Sequence, residues 1–161
     1  IGVPPIKNGF DAEQVSSFIA KSKGSFQFVD SLGTCKFINR TVPPLLTEML
    51  NAATGWDFTW EEAMNVGRRA VNLFRAFNVR RGITAGVEFP SPRYGSTPKD
   101  GAAQGKSIHP HLQAMQQNHH KLMGWDPETG IPLPATLRGL GLERVAEDLW
   151  GTEKGPVPLK A

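Results

Sequence analysis

The residues whose types and spacing could do chemistry are concentrated in one run, Asp30-Ser31-Leu32-Gly33-Thr34-Cys35-Lys36-Phe37. Cys35 is the chain's single cysteine, so it can form no internal disulfide and cannot build a cysteine-rich metal site alone. A lone cysteine is most often a small buried hydrophobe. The competing reading is a ligand: Cys35 follows a glycine at an expected helix exit, where backbone amides can reach a sulfide or an anion. Thiolates of iron–sulfur clusters depend on such amides, because hydrogen bonds to sulfur set the potential. If Cys35 is a ligand, its fellow ligands come from other polypeptide. Asp30 has the same two readings, a solvated carboxylate or an acceptor-only side chain suited to the amino-pyrimidine edge of a pterin.

Four histidines, His109, His111, His119 and His120, form a His-x-His and an adjacent pair. Neither matches the usual zinc spacing, and neighbours on a helix point about 100° apart. They read as exposed or locally bonded. No nucleophile elbow accompanies a cysteine–histidine pair, and Gly82 to Gly86 lacks the spacing of a phosphate cradle. Trp56 and Trp125, each in a Gly-Trp-Asp triplet, read as packing anchors with a polar edge.

The elements that position these residues are helical. Asp11-Ala12-Glu13-Gln14 has the form of a capping box, and Val15, Phe18 and Ile19 follow at helical spacing. Phe26 and Val29 extend that face past Gly24, which predicts a helix reaching Ser31 or Leu32, stopped by Gly33. Cys35 then falls on the turn beyond a helix end. Pro43 and Pro44 suit the first turn of a second helix through Leu50, ended by Gly55. Thr59-Trp60-Glu61-Glu62 is a second capping box, opening the longest helix, to Arg80. Its residues Ala63, Val66, Ala70, Leu73, Phe74 and Phe77 recur at helical spacing and are expected to face the core. Ile83 to Gly105 is rich in Gly and Pro without periodicity, a loop or extended crossing segment. A helix over about 110–123, a turn at Gly124-Trp125-Asp126-Pro127 and two short helices follow. The expected class is mainly α, an irregular helical domain with long loops. Residues 1–150 form the domain, and 151–161, with Pro156 and Pro158, a loosely held tail.

At 161 residues and 39% hydrophobic content the chain can build one core. The net charge of +3 is spread, without the dense basic stripe of a nucleic-acid binder. No run of about 18 apolar residues is present to span a bilayer. A single cysteine fits a reducing, cytoplasmic compartment. The opening Ile1-Gly2-Val3-Pro4-Pro5 has neither initiator methionine nor basic-then-apolar leader. That is the pattern of a piece of a longer polypeptide, or of a chain whose leader was removed.

Four blocks of the sequence resemble one family, the tungsten-containing aldehyde:ferredoxin oxidoreductases. Asp30-Ser31-Leu32-Gly33-Thr34-Cys35 resembles that family's second Asp-x-x-Gly-x-Cys element. The stretch Thr54 to Thr59, then Glu61-Glu62 and Asn72 to Gly82, is similar to the segment that follows. So are Gly124-Trp125-Asp126 with Gly130-Ile131-Pro132, and Leu137 with Leu140-Gly141-Leu142. The resemblance implies a helical C-terminal domain forming one wall of a cofactor cavity. It implies Cys35 as the fourth ligand of a [4Fe-4S] cluster, Asp30 as a pterin contact, Gly33 as a close backbone approach and the Thr34 backbone as a cofactor contact. Leucine is the family's common residue before that cysteine, so Thr34 is a departure. The other three cluster cysteines would belong to a Cys-x-x-Cys-x-x-x-Cys run that this sequence lacks. The tungsten (or molybdenum) bis-pterin and the cluster are therefore expected in the intact enzyme and absent from the isolated chain, which is expected to be inactive. The expected partners are the remaining domains and ferredoxin, with no nucleic acid or membrane. The implied reaction is aldehyde oxidation to a carboxylic acid. The rivals are a related tungsten enzyme of benzoyl-coenzyme A reductase type and a non-enzymatic helical interaction module. A domain of this kind should carry an exposed apolar docking face when alone.

Overall fold

The computed structural model describes residues 3–35, 37–38 and 43–151. These form seven α-helices: α1 Ala12–Ser22, α2 Ser25–Ser31, α3 Pro43–Thr54, α4 Trp60–Arg80, α5 Leu112–Met123, α6 Pro134–Gly139 and α7 Glu143–Trp150. Two single 3-10 turns, Ala85–Val87 and His109–His111, punctuate the long connection from α4 to α5. Among the described residues the sole β pairing outside helices is one antiparallel bridge, Trp125 to Pro132. The mainly α class is as expected, and so are the ends of α3, α4, α5 and the two short helices. The tail expected from 151 falls, from 152 on, outside the described residues.

Capping chemistry sets the helix starts. Asp11 accepts the Gln14 amide at 2.8 Å. At α4 the box is reciprocal: Thr59 Oγ1 accepts the Glu62 amide at 3.2 Å, and the Glu62 carboxylate accepts the Thr59 amide at 2.8 Å. The Thr59 amide, and after it the Thr59 hydroxyl, both donating to the Glu62 carboxylate, hold Glu62 below its usual pKa.

The single helix expected from Asp11 to about Leu32 is broken. Gly24 sits at φ +110 and separates α1 from α2. The break lets α4 cross very closely, because a Cβ on Gly67 would lie 1.8 Å from the Gly24 carbonyl oxygen. Real Cβ atoms do not come that near, so the crossing requires glycine at 67, and the positive φ favours it at 24.

Three apolar clusters then hang on α4. Its N-terminal half joins Phe28, Val29, Leu46 and Ala63. Its middle joins Ala20, Val71, Met123 and Trp125. Its end joins Ala76, Val79, Leu137, Ala146 and Leu149.

The inward face of α4 is therefore Ala63, Met64, Gly67, Val71, Asn72, Arg75, Ala76 and Val79. Of the six residues expected there, Ala63 is buried. Val66, Leu73, Phe74 and Phe77 stay 37%, 51%, 67% and 58% exposed. The reason is steric and polar together. Where α2 and α4 cross backbone to backbone only small side chains fit, and farther along the inward side Asn72 and Arg75 meet dedicated partners. The larger apolar stripe is left facing out.

Candidate functional site

The run from Asp30 to Cys35 lies where α2 ends. Phe28 and Val29 anchor it in the core, and Leu32 packs partly buried on the same cluster. Asp30, on the opposite side of α2, is exposed. Gly33 turns the chain at φ +66, its amide donating to the Asp30 carbonyl at 3.1 Å. Thr34 folds back, its hydroxyl donating to the Val29 carbonyl at 3.3 Å. That bond gives the Val29 carbonyl a second donor beside the Leu32 amide at 3.2 Å, a contact leucine could not make. Cys35 follows on the surface, exposed, and its carbonyl accepts the Ile38 amide at 3.2 Å. The buried-hydrophobe reading of this cysteine is thereby overturned, because the small-core role requires burial.

The described residues contain no group of three or more His, Cys, Asp or Glu side chains able to hold a metal ion. An exposed thiol on a loop, with an exposed carboxylate one turn back, fits one contribution to a cluster shared with other polypeptide. The donor set does not fit a complete metal centre. A cleft of 580 Å³ between the start of α1 and residues 94–111 includes none of the run 30–35.

A different constellation, not foreseen from the sequence, is buried in the middle of the domain. Arg75 is 5% exposed. Its Nε donates to the Gly130 carbonyl at 2.7 Å, its Nη2 reaches the Thr129 carbonyl at 3.5 Å, and its Nη1 pairs with Glu88. The guanidinium carbon sits 5.0 Å from the centre of the Trp125 ring. Trp125 donates through Nε1 to Asn72 at 2.8 Å, and Asn72 donates to the Arg68 carbonyl at 2.9 Å. His120 is buried, with Nδ1 3.2 Å from the Pro127 carbonyl and Nε2 3.8 Å from Glu88.

The loop 126–130 is bent to receive Arg75. Asp126 accepts the Thr129 amide at 2.7 Å and its hydroxyl at 2.7 Å, which holds its carboxyl below the usual range. Gly130 turns at φ +70, where a Cβ would strike Arg75 Nη2 at 2.1 Å. The Gly-Trp-Asp triplet at 124–126 thus frames a buried arginine, as an anchor with a bonded polar edge. Its counterpart at Trp56 differs from the expectation, being 61% exposed.

His119 lies beside this network, 5.7 Å from the Trp125 ring, at the wall of a 470 Å³ groove shared with Lys23, Gln27, Phe74 and Asn78. Burial, aided by His120 and Lys23, lowers its pKa from 6.5 to about 4, and burial also lowers that of His120. Both imidazoles are neutral at pH 7. With folded-state pKa values below the unfolded one, these groups contribute stability above pH 6.5 that is lost as pH falls toward 4. The His119 shift corresponds to about 3 kcal/mol at 1.36 kcal/mol per unit, discounted for partial exposure to about 1–2 kcal/mol. Thermal melts of the chain should therefore fall by about 2–8 °C between pH 6.5 and 4.5, and His119→Gln should flatten part of that slope. An unchanged slope in the variant would refute the assignment to His119.

Residues 2–142 match the family model described as aldehyde ferredoxin oxidoreductase, domains 2 and 3. The chain is 34% identical over 118 residues to the tungsten-containing aldehyde ferredoxin oxidoreductase of Pyrococcus horikoshii, covering 71% of this chain and 19% of that protein. It is 33% identical over 107 residues to the Pyrococcus furiosus protein of the same name, covering 65% and 17%. The Thermococcus kodakarensis protein is 32% identical over 107 residues, again 65% and 17%. The chain thus spans about a fifth of the length of the curated relatives it matches. No solved structure matches it significantly.

Proposed function

This chain belongs to the aldehyde ferredoxin oxidoreductase family, and we propose that it forms the C-terminal wall of a cofactor cavity in a larger tungstopterin and iron–sulfur enzyme oxidising aldehydes to carboxylic acids. The observation that carries this reading is the exposed Cys35 at the exit of α2, with Asp30 exposed one turn earlier. When bound, the tungsten–pterin group and a [4Fe-4S] cluster supply the two-electron oxidation and the single-electron steps onward to ferredoxin. The residues of this chain do the holding. Cys35 offers a thiolate as one cluster ligand, the other three coming from polypeptide outside this chain. Asp30 offers a carboxylate that accepts from amino groups of the pterin. Gly33, without a side chain, leaves room for close approach, and Thr34 presents its backbone there while its hydroxyl stays on the Val29 carbonyl. Water and aldehyde yield acid, two protons and two electrons, so an electron acceptor is obligatory.

The reading is tested on the full-length enzyme by metal analysis and by aldehyde-dependent reduction of ferredoxin. Tungsten, iron and sulfide in stoichiometric amounts with aldehyde turnover are expected. Metal-replete protein that ignores aldehydes and reduces an aromatic acyl-coenzyme A would overturn the substrate class. Metal-free protein would overturn the whole.

A further inference from the structure

The apolar stripe of α4 faces the wrong way for a finished domain. Val66, Leu73, Phe74 and Phe77 lie at helical spacing on the outward side, and the two phenylalanines keep more than half their surface in water. A helix normally turns its apolar side to the core, and contiguous exposed patches of this kind mark contacts with other protein. The stripe also has the polar border of an interface. Lys23, Gln27, Asn78 and His119 share a groove with Phe74, and none of their side chains hydrogen-bonds to another described residue. Arg81 lies 5.2 Å over the Phe77 ring.

We propose that this face of α4 is the docking surface on which the remainder of the enzyme seats, covering Leu73, Phe74 and Phe77 with an apolar patch whose edges bring carboxylate or carbonyl acceptors to Lys23, Gln27 and Asn78. It deepens the reading above by naming the partner of the same wall, and rests on it only in taking this chain as one part of a larger enzyme. One fact favours that occupant over a second copy. The matched relatives are about five times longer than the segment they share with this chain, so four-fifths of their polypeptide must pack somewhere.

Hydroxyl-radical footprinting of the 161-residue chain and of the full-length enzyme tests this without reference to activity. Phe74 and Phe77 are expected to be labelled freely in the chain and at least about fivefold more slowly in the enzyme, with buried Phe28 slow in both. Equal labelling of Phe74 and Phe77 in the two proteins would overturn the proposal. So would protection that already develops in the isolated chain as its concentration rises, which identifies a second copy as the occupant. Protection in an enzyme that binds no metal sinks the cofactor reading alone. Metal and turnover without protection sink the docking surface alone.

Discussion

Replacing Cys35 by serine in the full-length enzyme is expected to lower the iron content and the visible absorption of the cluster, and to cut aldehyde-dependent ferredoxin reduction by more than about 100-fold. Loss of a mere supporting contact around a metal typically costs 10–100-fold, and a direct thiolate ligand should exceed that. The cysteine is exposed and lies outside every helix, so the substitution empties no core position. Surface changes of this kind usually alter stability by about 0.5 kcal/mol or less. The 161-residue chain bearing Cys35→Ser should therefore melt as the parent does. That separation is the strength of the experiment: a purely structural cysteine would show its effect in the melt, a ligand in the metal. Full iron occupancy with wild-type turnover in the variant would remove the central premise of the proposed function. Asp30→Asn should leave iron in place while weakening retention of the pterin, because only the carboxylate is acceptor at both oxygens.

Arg75→Met should be strongly destabilising, by about 3–5 kcal/mol. The side chain is buried and satisfies two backbone carbonyls, Thr129 and Gly130, as well as the Glu88 carboxylate. Its removal strands a carboxylate beside neutral His120 and takes the Arg75 donor from the Gly130 carbonyl, while the Thr129 carbonyl keeps the Ala85 amide at 3.2 Å. At about 2–4 °C per kcal/mol for a chain of this size, the melting temperature should drop by about 6–20 °C. The side chain of Glu88 remains 29% exposed, so part of its charge is solvated and the lower end of that range is expected. Adding Glu88→Gln to Arg75→Met should recover part of the loss, since the pair then fails together. A melt shift under about 2 °C for Arg75→Met would show that the network contributes little.

The two predictions act on parts of the chain that were very unequally legible. The Asp30 to Cys35 run announced itself through residue types within six positions, and the helix exit that displays it follows from Gly33. The Arg75 network did not. Its members Glu88, His120 and Thr129 lie 13 to 54 residues from Arg75, and no local pattern ties an arginine in an apolar helix to a loop carbonyl far downstream. The one available signal was Arg75 itself, an obligate charge between Phe74 and Ala76 that would need a partner wherever it was buried.

The amphipathic pattern of α4 misled for a related reason. Periodicity identifies a helix with an apolar side, but it does not say which body that side is buried against. Here the small and polar side faces this chain, because Gly67 admits the Gly24 backbone and Asn72 meets the Trp125 indole. The break at Gly24 was equally hidden: a glycine inside a helical pattern is tolerated or not according to what crosses it.

By itself, then, the sequence determined the local matters: helix starts through side chains that cap their own amides, helix stops through glycines, and a thiol just past one of those stops. These depend on contacts a few residues apart, which residue order alone dictates. Only the tertiary structure decided which face of each helix turned inward, that the thiol stands in solvent, and that a buried arginine and a buried histidine meet a partly exposed glutamate. Those outcomes depend on close crossings and hydrogen bonds between distant segments, where the fit of shapes in three dimensions outweighs any pattern along the chain.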